Sequence, residues 1–412
     1  MVAADGAAGP SQRRVEDRHL LGEPAMMGDA ALRGDEVLTI VGAGPAGLSC
    51  AIALARAGRA VVVRERQPGV GHRFHGDFQG IENWSDDVDV LDEMEQAGLR
   101  TDFDHQGFAS GTAFDSRGRS HVLRGSRALF YLVRRGPQHG TLDHALLGQA
   151  VEAGVEIRFQ DYVRSLDGAG VLAAGPRVAD VIAAGYVFDT DMHDGAWLAL
   201  DDRLAPQGYA YLLVHRGRGT VASCMFSRFK EQARHVAATV EFFVAHAGLV
   251  MRDARSFGGY GNVRLTRAAL QGGHPVIGEH AGFQDALAGF GIRYAMRSGL
   301  LAARALLGGQ DYHALWRREL LPGIRAGVAN RLVYAVLGDA GRRLVLARLD
   351  DVDAGEALRR LYRPTLISRA LFPLARTLRR RALRDRSCDH QGCRCVWCTH
   401  GDPAASSCVE DG

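Results

Sequence analysis

The chain has 412 residues, of which 47% are hydrophobic and 24% charged, as in an ordinary soluble globular protein. This length allows a sizeable core and two or more structural units. The formal net charge of +3 is too small to indicate a nucleic-acid partner. No uninterrupted apolar stretch approaches the ~20 residues that span a bilayer.

Residues 1–36 are rich in Ala, Gly, Asp and Arg and lack the apolar core of a signal peptide, so we predict a disordered extension. Five of the seven cysteines lie in the last 25 residues, whereas Cys50 falls inside the first predicted helix. This distribution indicates a reducing, cytoplasmic environment and a local metal site, not a disulfide framework.

Residues 37–66 predict a strand, a glycine turn, a helix, a second strand and a closing acid. In this G-x-G-x-x-G pattern Gly42 permits the tight bend, Gly44 admits a pyrophosphate and Gly47 packs the helix on the strand. The helix N-terminus would offer N–H groups and a positive dipole end to the phosphates. Glu65 ends the second strand, where its carboxylate can accept hydrogen bonds from a ribose diol. This order of elements predicts dinucleotide binding.

The later elements predict an α/β fold in which one domain is inserted into another. A helix at 141–153 and a strand at 155–159 indicate a return to the nucleotide-binding sheet. Residues 186–265 alternate as an antiparallel sheet does, with a helix at 231–246, whereas 67–84 is too polar and glycine-rich for a regular element. The predicted parts are a Rossmann-like dinucleotide-binding domain with a doubly wound parallel sheet (37–310), an inserted antiparallel-sheet substrate domain (about 85–130 and 186–265), a C-terminal helical region (311–386) and a Cys-rich tail (387–412).

A second glycine motif lies in residues 276–307. A predicted strand ends at Gly278, and Gly289 and Gly291 precede a predicted helix that begins at Ile292. Next to a flavin ring, the N-terminus of that helix would stabilise the negative charge of the reduced ring. A plain NAD dehydrogenase has no need of this second device, so the two motifs together predict FAD.

With both motifs, the sequence resembles the flavoprotein superfamily that includes geranylgeranyl reductases and aromatic-hydroxylase-type monooxygenases. The resemblance extends over roughly residues 37–330 and best fits the geranylgeranyl reductase branch, whose late motif is G-D-A-A-G-F…P-x-x-G-x-G-I-x-x-A-x-x-S-G. The matching residues are Gly278, Ala281, Gly282, Phe283, Gly289, Gly291, Ile292, Ala295, Ser298 and Gly299.

The resemblance also implies which residues contact FAD. Arg134 or Arg135 corresponds to the family's arginine near the flavin phosphates, and Val163 to its backbone contact with adenine. Glu279 stands where the family has an aspartate that binds the ribityl chain. The implied cofactor contacts are Gly42, Gly44, Gly47, Glu65, Arg66, Arg73, Arg134, Val163, Gly278, Glu279, Gly289, Gly291 and Ile292.

Two departures concern the substrate. Ala286 replaces a proline, and the family's substrate-channel motif P-x-x-Y-x-W-x-F-P is present only in part, as Pro206, Tyr209, Tyr211 and Leu213. The resemblance therefore implies the fold and the cofactor but leaves the substrate open.

Residues 72–84 (HRFHGDFQGIENW) belong to a stretch that passes close to the flavin in this superfamily. His75 and Asp77 are candidate catalytic residues for proton delivery, because histidine titrates near neutrality and a flanking carboxylate can hold its tautomer. The alternative is a structural loop whose polar side chains satisfy backbone groups. Arg73 could bind a phosphate of FAD or of the substrate.

The tail places Cys388, Cys393, Cys395 and Cys398 within eleven residues. Four thiolates this close suit a structural Zn²⁺ or an iron–sulfur cluster, and redox-active free thiols are a third alternative. The arginine-rich helix predicted at 371–386 could lie on an anionic membrane surface or be an ordinary solvated face.

These patterns predict an FAD-dependent reductase that saturates double bonds of an isoprenoid or similar lipid, with NAD(P)H or a ferredoxin-like protein as electron donor. Two alternatives remain open: an FAD monooxygenase, and an FAD-bound redox relay that uses the cysteine tail. Residues 173–180 (AAGPRVAD) lack the D-G pair usual in the middle region of the hydroxylases, which counts against hydroxylation.

Overall fold

The computed structural model describes residues 36–176, 179–263 and 268–382. The predicted extension, apart from Glu36, and the whole Cys-rich tail lie outside the described residues. The four candidate metal ligands, Cys388, Cys393, Cys395 and Cys398, are therefore outside them as well.

Strands and helices alternate in the first part of the chain, and helices make up the last part. In chain order the strands are β1 (Leu38–Val41), β2 (Val61–Glu65), β3 (Phe78–Glu82), β4 (His105–Phe108), β5 (Ser110–Phe114), β6 (Ser120–Arg124), β7 (Phe130–Arg134), β8 (Glu156–Phe159), β9 (Gly170–Leu172), β10 (Val181–Asp189), β11 (Gly195–Ala199), β12 (Tyr209–His215), β13 (Arg218–Met225), β14 (Arg252–Gly261), β15 (Leu270–Gln271) and β16 (His274–Pro275). The helices are α1 (Pro45–Arg56), α2 (Val90–Gln96), α3 (Leu142–Glu152), α4 (Gln232–Ala247), α5 (Ile292–Gly308), α6 (Tyr312–Glu319), α7 (Leu321–Leu349), α8 (Ala354–Tyr362) and α9 (Leu366–Ala382).

A parallel sheet in the order β8–β2–β1–β9 carries the first glycine motif. Next to β9, Leu172 forms an isolated parallel bridge with Val276, from which the chain continues into Gly278. The carboxyl ends of parallel strands meet at one edge of a sheet. Gly42 after β1, Glu65 at the end of β2 and Gly278 therefore lie along the same edge.

Helices α1 and α5 pack closely together in the core of this half of the molecule. A Cβ on Gly299 of α5 would lie 2.2 Å from the backbone oxygen of Ala46 in α1. Likewise, a Cβ on Gly47 would lie 2.0 Å from the backbone oxygen of Gly42. Because real side chains do not fit at such distances, these two motif glycines are required for contacts between backbones.

The larger sheet has the strand order β14–β10–β13–β12–β11–β5–β6 and is antiparallel except between β11 and β5. The antiparallel sheet predicted for 186–265 is thus present, but it begins at Val181 and also takes in β5 and β6. A small antiparallel sheet, β3–β7–β4, packs beside it, where the Phe78 N–H donates to Thr220 Oγ1 (2.9 Å).

One sequence-based expectation about local structure was wrong. Residues 67–84 are not wholly irregular, because β3 lies within them and pairs with β7 from Phe78 opposite Arg134 to Glu82 opposite Phe130. Pairing with a distant strand leaves no periodic signal in the sequence. The C-terminal region predicted to be helical contains α6 to α9, and Gly338 interrupts α7 with φ +55°.

Candidate functional site

The first glycine turn is held tightly at the carboxyl edge of the parallel sheet. Gly42 has φ +112°, and a Cβ there would lie 2.3 Å from the backbone oxygen of Ala173. The Glu65 carboxylate accepts hydrogen bonds from the backbone N–H groups of Ala43 (2.8 Å) and Gln67 (2.9 Å). The acid that a ribose diol requires is therefore fixed directly beside the turn.

Two helices whose N-termini belong to the glycine motifs have no side-chain cap. Gly44 precedes α1 and Gly291 precedes α5, and neither helix has an acidic residue in its first turn. A Cβ on Gly44 would meet no atom within 4 Å, so there is open space in front of this helix end. Four other helices are capped by their own side chains; these caps are Asp89 for α2, Thr141 for α3, Asp311 for α6 and Asp353 for α8. Helices α4 and α7 also begin without a side-chain cap, but not at a glycine motif.

Uncapped N-terminal N–H groups carry a partial positive charge and bind anions. One such end at the first motif and one at the second fit the two parts of FAD that need them, the pyrophosphate and the reduced ring. The residues of this chain therefore fit the cofactor that the sequence predicted.

The loop at residues 282–291, called the glycine loop below, is held from two sides by polar contacts. Tyr209 Oη on β12 donates to the backbone oxygen of Ala288 (2.6 Å). Arg331 Nη1 on α7 donates to the backbone oxygen of Leu287 (2.7 Å). Both the large sheet and the C-terminal helices thus fix the segment that leads into α5.

Asp285 fixes the same loop from within. It is buried (2% exposed), and its carboxylate accepts hydrogen bonds from the N–H groups of Leu287 (3.0 Å) and Ala288 (2.7 Å) and from Tyr362 Oη of α8 (2.7 Å). Burial raises the pKa of Asp285, although these hydrogen bonds oppose the change. Sequence reasoning did not single out Asp285; a single acid in a glycine loop that is apolar apart from Gln284 was the available signal.

The segment that begins at residue 72 contacts the second glycine motif. Arg73 Nη2 lies 2.7 Å from Glu279 Oε2 in an ion pair between residues separated by 206 positions. The ring of Phe74 lies between the guanidinium groups of Arg73 (4.7 Å) and Arg135 (4.1 Å). The structure therefore brings together two residues, Arg73 and Glu279, that the sequence assigned to the cofactor for separate reasons.

The two arginines proposed for the flavin phosphates differ in environment. Arg135 is buried (4% exposed) and makes two 2.8 Å hydrogen bonds with the carboxylate of Asp143. Arg134 Nη2 donates to Asp104 (3.1 Å) and to the backbone oxygen of His139 (2.8 Å). Asp143 thus holds the Arg135 guanidinium in the interior, and a phosphate contact by Arg134 stays a prediction.

Asp77 holds the backbone of its own loop. It is 2% exposed, and its carboxylate accepts hydrogen bonds from the backbone N–H of His75 (3.0 Å) and from Gln79 Nε2 (3.0 Å). His75 itself is exposed. The bond between the two residues therefore runs through the backbone of His75, whereas the sequence suggested one through its ring. A catalytic role for either stays a prediction.

The remaining candidates lie at the carboxyl edge of the parallel sheet. The N–H of Asp161 donates to the backbone oxygen of Glu65 (2.9 Å), which places half-buried Val163 two residues beyond this contact. Arg66 directly follows Glu65. Among the described residues, no group of three or more His, Cys, Asp or Glu side chains is placed to hold a metal ion.

Aromatic side chains surround the glycine loop. Gly80 of β3 lies against Phe290, since a Cβ there would be 2.5 Å from the Phe290 ring. Trp84 contacts Phe290 edge to face, with 4.9 Å between ring centroids. On β12, the ring centroids of Tyr209 and Tyr211 lie 6.0 Å apart. Burial raises the pKa of both tyrosines well above the usual value, so their hydroxyls stay protonated. Phe290 was missed in the sequence, although a bulky residue between two motif glycines was its signal.

Comparisons with known proteins agree with this geometry. Residues 40–81 match the family model of the NAD(P)-binding Rossmann-like domain. No curated protein sequence matches the chain.

Solved structures of several flavoproteins share the fold. A geranylgeranyl bacteriochlorophyll reductase-like protein from Thermoplasma acidophilum superposes with a TM-score of 0.63 at 16% identity, over 85% of this chain and 98% of that one. A flavin-dependent brominase superposes with a TM-score of 0.57 at 16% identity, over 84% of this chain and 99% of that one. A probable FAD-dependent monooxygenase from Pseudomonas aeruginosa superposes with a TM-score of 0.58 at 17% identity, over 77% of this chain and 100% of that one. The predicted α/β fold class is confirmed, and the chain has the fold that these reductase-like, halogenating and monooxygenase proteins share.

Proposed function

We propose that this protein is an FAD-dependent oxidoreductase that reduces a carbon–carbon double bond of an isoprenoid or other lipid-like substrate. When bound, FAD supplies a hydride from its reduced ring to one carbon of the double bond, and a proton must reach the other carbon. In this proposal Gly42, Gly44, Gly47 and Glu65 hold the ADP half, and the bare N-terminus of α5 faces the ring.

The observation that carries the substrate class is the aromatic lining of the glycine loop. Half-buried Phe290, Tyr209 and Tyr211 offer apolar surface there, and buried Trp84 packs against Phe290. The nearby Asp77 and Asp285 already accept hydrogen bonds from protein groups. A site of this kind favours an apolar substrate, because burying an unpaired polar group there would cost free energy.

For the proton, His75 is the residue we propose. Its ring is exposed and can exchange protons with water, while Asp77 fixes the position of its backbone. His72 is an exposed histidine three positions earlier in the same loop and provides a matched control. We expect His75→Gln to lower kcat about a hundredfold, whereas His72→Gln leaves it unchanged. Equal effects of the two changes would refute this role.

The reaction itself is tested by anaerobic single turnover. The FAD-loaded protein is reduced with dithionite and mixed with polyprenyl lipids, and absorbance reports flavin reoxidation. We expect reoxidation without oxygen and a product heavier by two hydrogen atoms for each double bond reduced. Replacing dithionite with NADPH or with reduced ferredoxin identifies the donor.

The fold shared with a probable monooxygenase supports one alternative, in which the product gains an oxygen atom. Reoxidation that requires oxygen and yields a product with an added oxygen atom would contradict the reductase proposal. A redox relay through the tail is a further proposal from the sequence, with zinc or an iron–sulfur cluster bound by Cys388, Cys393, Cys395 and Cys398. Loss of turnover with retained FAD in a variant lacking these four cysteines would support it.

A further inference from the structure

Exposed apolar side chains are concentrated on the C-terminal helices. Of eighteen large hydrophobic residues that are exposed in the described part of the chain, ten lie between residues 333 and 374. Leu366 is 81% exposed, Val336 77% and Ile367 71%. The ten residues, called the apolar surface below, are Val333, Val336, Leu337, Leu344, Val345, Val352, Leu361, Leu366, Ile367 and Leu374. Such a concentration marks a surface that contacts another apolar phase or partner.

The charge of the same region is strongly one-sided. Residues 357–384 contain nine arginines and no aspartate or glutamate. Arg363 and Arg369, beside the most exposed apolar residues, are themselves exposed. Arg359 and Arg360 pair with Asp87 and Glu356, so the excess of positive charge comes from the arginines that follow. A surface that combines exposed apolar side chains with an excess of positive charge is complementary to an anionic apolar phase.

Two acidic residues just before this region contact the rest of the protein. Asp350 binds His121 Nδ1 (2.8 Å), and Asp353 accepts from the N–H of Ser126 (2.7 Å). Their charges therefore face β6 and the segment after it. Glu356, by contrast, pairs with Arg359 and Arg360.

We propose that α8, α9 and the adjoining part of α7 dock on an anionic lipid bilayer. The apolar side chains enter the boundary between headgroups and acyl chains, and the arginines attract anionic lipids. A second copy of the chain fits this surface poorly, because a two-fold interface places identical patches together and would bring the arginines of both copies into contact. Among the described helices, none has the length and hydropathy that a membrane span needs.

This surface adjoins the candidate site. Arg331 of α7 and Tyr362 of α8 contact the glycine loop through Leu287 and Asp285. A docked protein would therefore hold that loop near the bilayer. If the substrate is lipid-like, as the proposed function has it, the substrate can reach the site from the membrane.

The test is co-sedimentation of the full chain with vesicles. We expect binding to vesicles of equal parts phosphatidylcholine and phosphatidylglycerol, weaker binding as salt is raised, and at least about tenfold weaker binding to phosphatidylcholine alone. Comparable binding to both vesicle types, or no binding to either, would overturn the proposal.

Two double variants separate the apolar and charged contributions. Leu366→Gln with Ile367→Gln should weaken binding about tenfold or more, and Arg363→Gln with Arg369→Gln about tenfold. Val151→Gln with Val250→Gln changes two exposed apolar residues elsewhere (57% and 55%) and should leave binding unchanged. Circular dichroism checks that each variant is folded.

Binding by both surface variants equal to wild type would overturn the proposal. A second outcome would also overturn it: wild type does not bind vesicles but self-associates, and the Leu366/Ile367 variant does not self-associate. The surface would then join two copies of the chain. Co-sedimentation does not depend on turnover. A protein that binds vesicles but reduces no lipid would therefore refute the proposed substrate and leave the proposed membrane docking intact.

Discussion

The helix N-termini of this molecule differ in how they are capped. Helices α2, α3, α6 and α8 begin at Asp or Thr residues whose side chains accept hydrogen bonds from the first turn. Helices α1 and α5 begin at Gly44 and Gly291 and have no side-chain cap. Helices α4 and α7 also lack a side-chain cap, but neither begins at a glycine.

The difference shows how fold stability and ligand binding are divided between elements. A cap stabilises its helix by about 1 kcal/mol. At the glycine motifs, α1 and α5 lack such a cap and can present their N–H groups and dipole to a ligand. The predictions on Gly44 and Asp353 test this division, and all are given from the largest expected effect to the smallest.

Gly42 and Gly44 belong to one motif, but substitutions at the two positions should have different effects. Gly42→Ala places a Cβ at φ +112° and 2.3 Å from the oxygen of Ala173, so we expect a loss of about 3 kcal/mol in the free energy of unfolding. Urea denaturation of the apoprotein measures it. A change below about 0.5 kcal/mol would show that the backbone contact is not needed.

Gly44→Ala should weaken FAD binding on the order of a hundredfold while leaving apoprotein stability nearly unchanged, because its Cβ meets open space where the phosphates are expected. Fluorescence titration with FAD gives the dissociation constant. Gly148→Ala in α3 is the matched control, since its Cβ also meets no atom within 4 Å, and it should bind FAD normally. Normal affinity in Gly44→Ala would break the comparison.

Asp353→Ala should show the opposite pattern. It removes the cap on the N–H of Glu356, so we expect a loss of about 1–2 kcal/mol in stability with unchanged FAD affinity. The backbone hydrogen bond from Glu356 also lowers the pKa of Asp353. Its contribution is therefore complete above the usual carboxyl pKa and is lost as pH falls through the lowered value.

Asp353→Asn keeps a capping side chain that does not titrate, and it should show a smaller loss of stability between about pH 5 and pH 2. Equal acid sensitivity of wild type and Asp353→Asn in thermal unfolding would contradict the assignment.

The smallest effect concerns two thiols. Burial raises the pKa of Cys50 and Cys224 to about 12. Both should resist iodoacetamide near pH 8 in the native protein and react after unfolding, as peptide mass spectrometry would show. Rapid labelling of native Cys50 would mean that α1 is not packed in the core as described.

Local chemistry made much of this site predictable. The spacing of Gly42, Gly44 and Gly47 and the position of Glu65 specify a turn and an acid within one βαβ unit, and the sheet places them as expected. The start of α5 at Ile292 followed from the glycines before it.

Contacts between distant segments could not be predicted. The pairing of β3 with β7, the Arg73–Glu279 ion pair and the contact between Gly80 and Phe290 each join segments far apart in sequence. No periodicity records such partners, because tertiary packing selects them. The hydrogen bond from the backbone N–H of His75 to Asp77 could not be predicted either, although the two residues are neighbours. The sequence does not say whether the carboxylate binds the ring or the backbone of His75.

The central claim is that the two bare helix ends hold FAD. The most direct measurement is a UV–visible spectrum of the purified protein after incubation with FAD and removal of the excess, with metal analysis of the same sample. We predict two flavin bands at one FAD per chain. A protein that retains no flavin after this treatment would contradict the account.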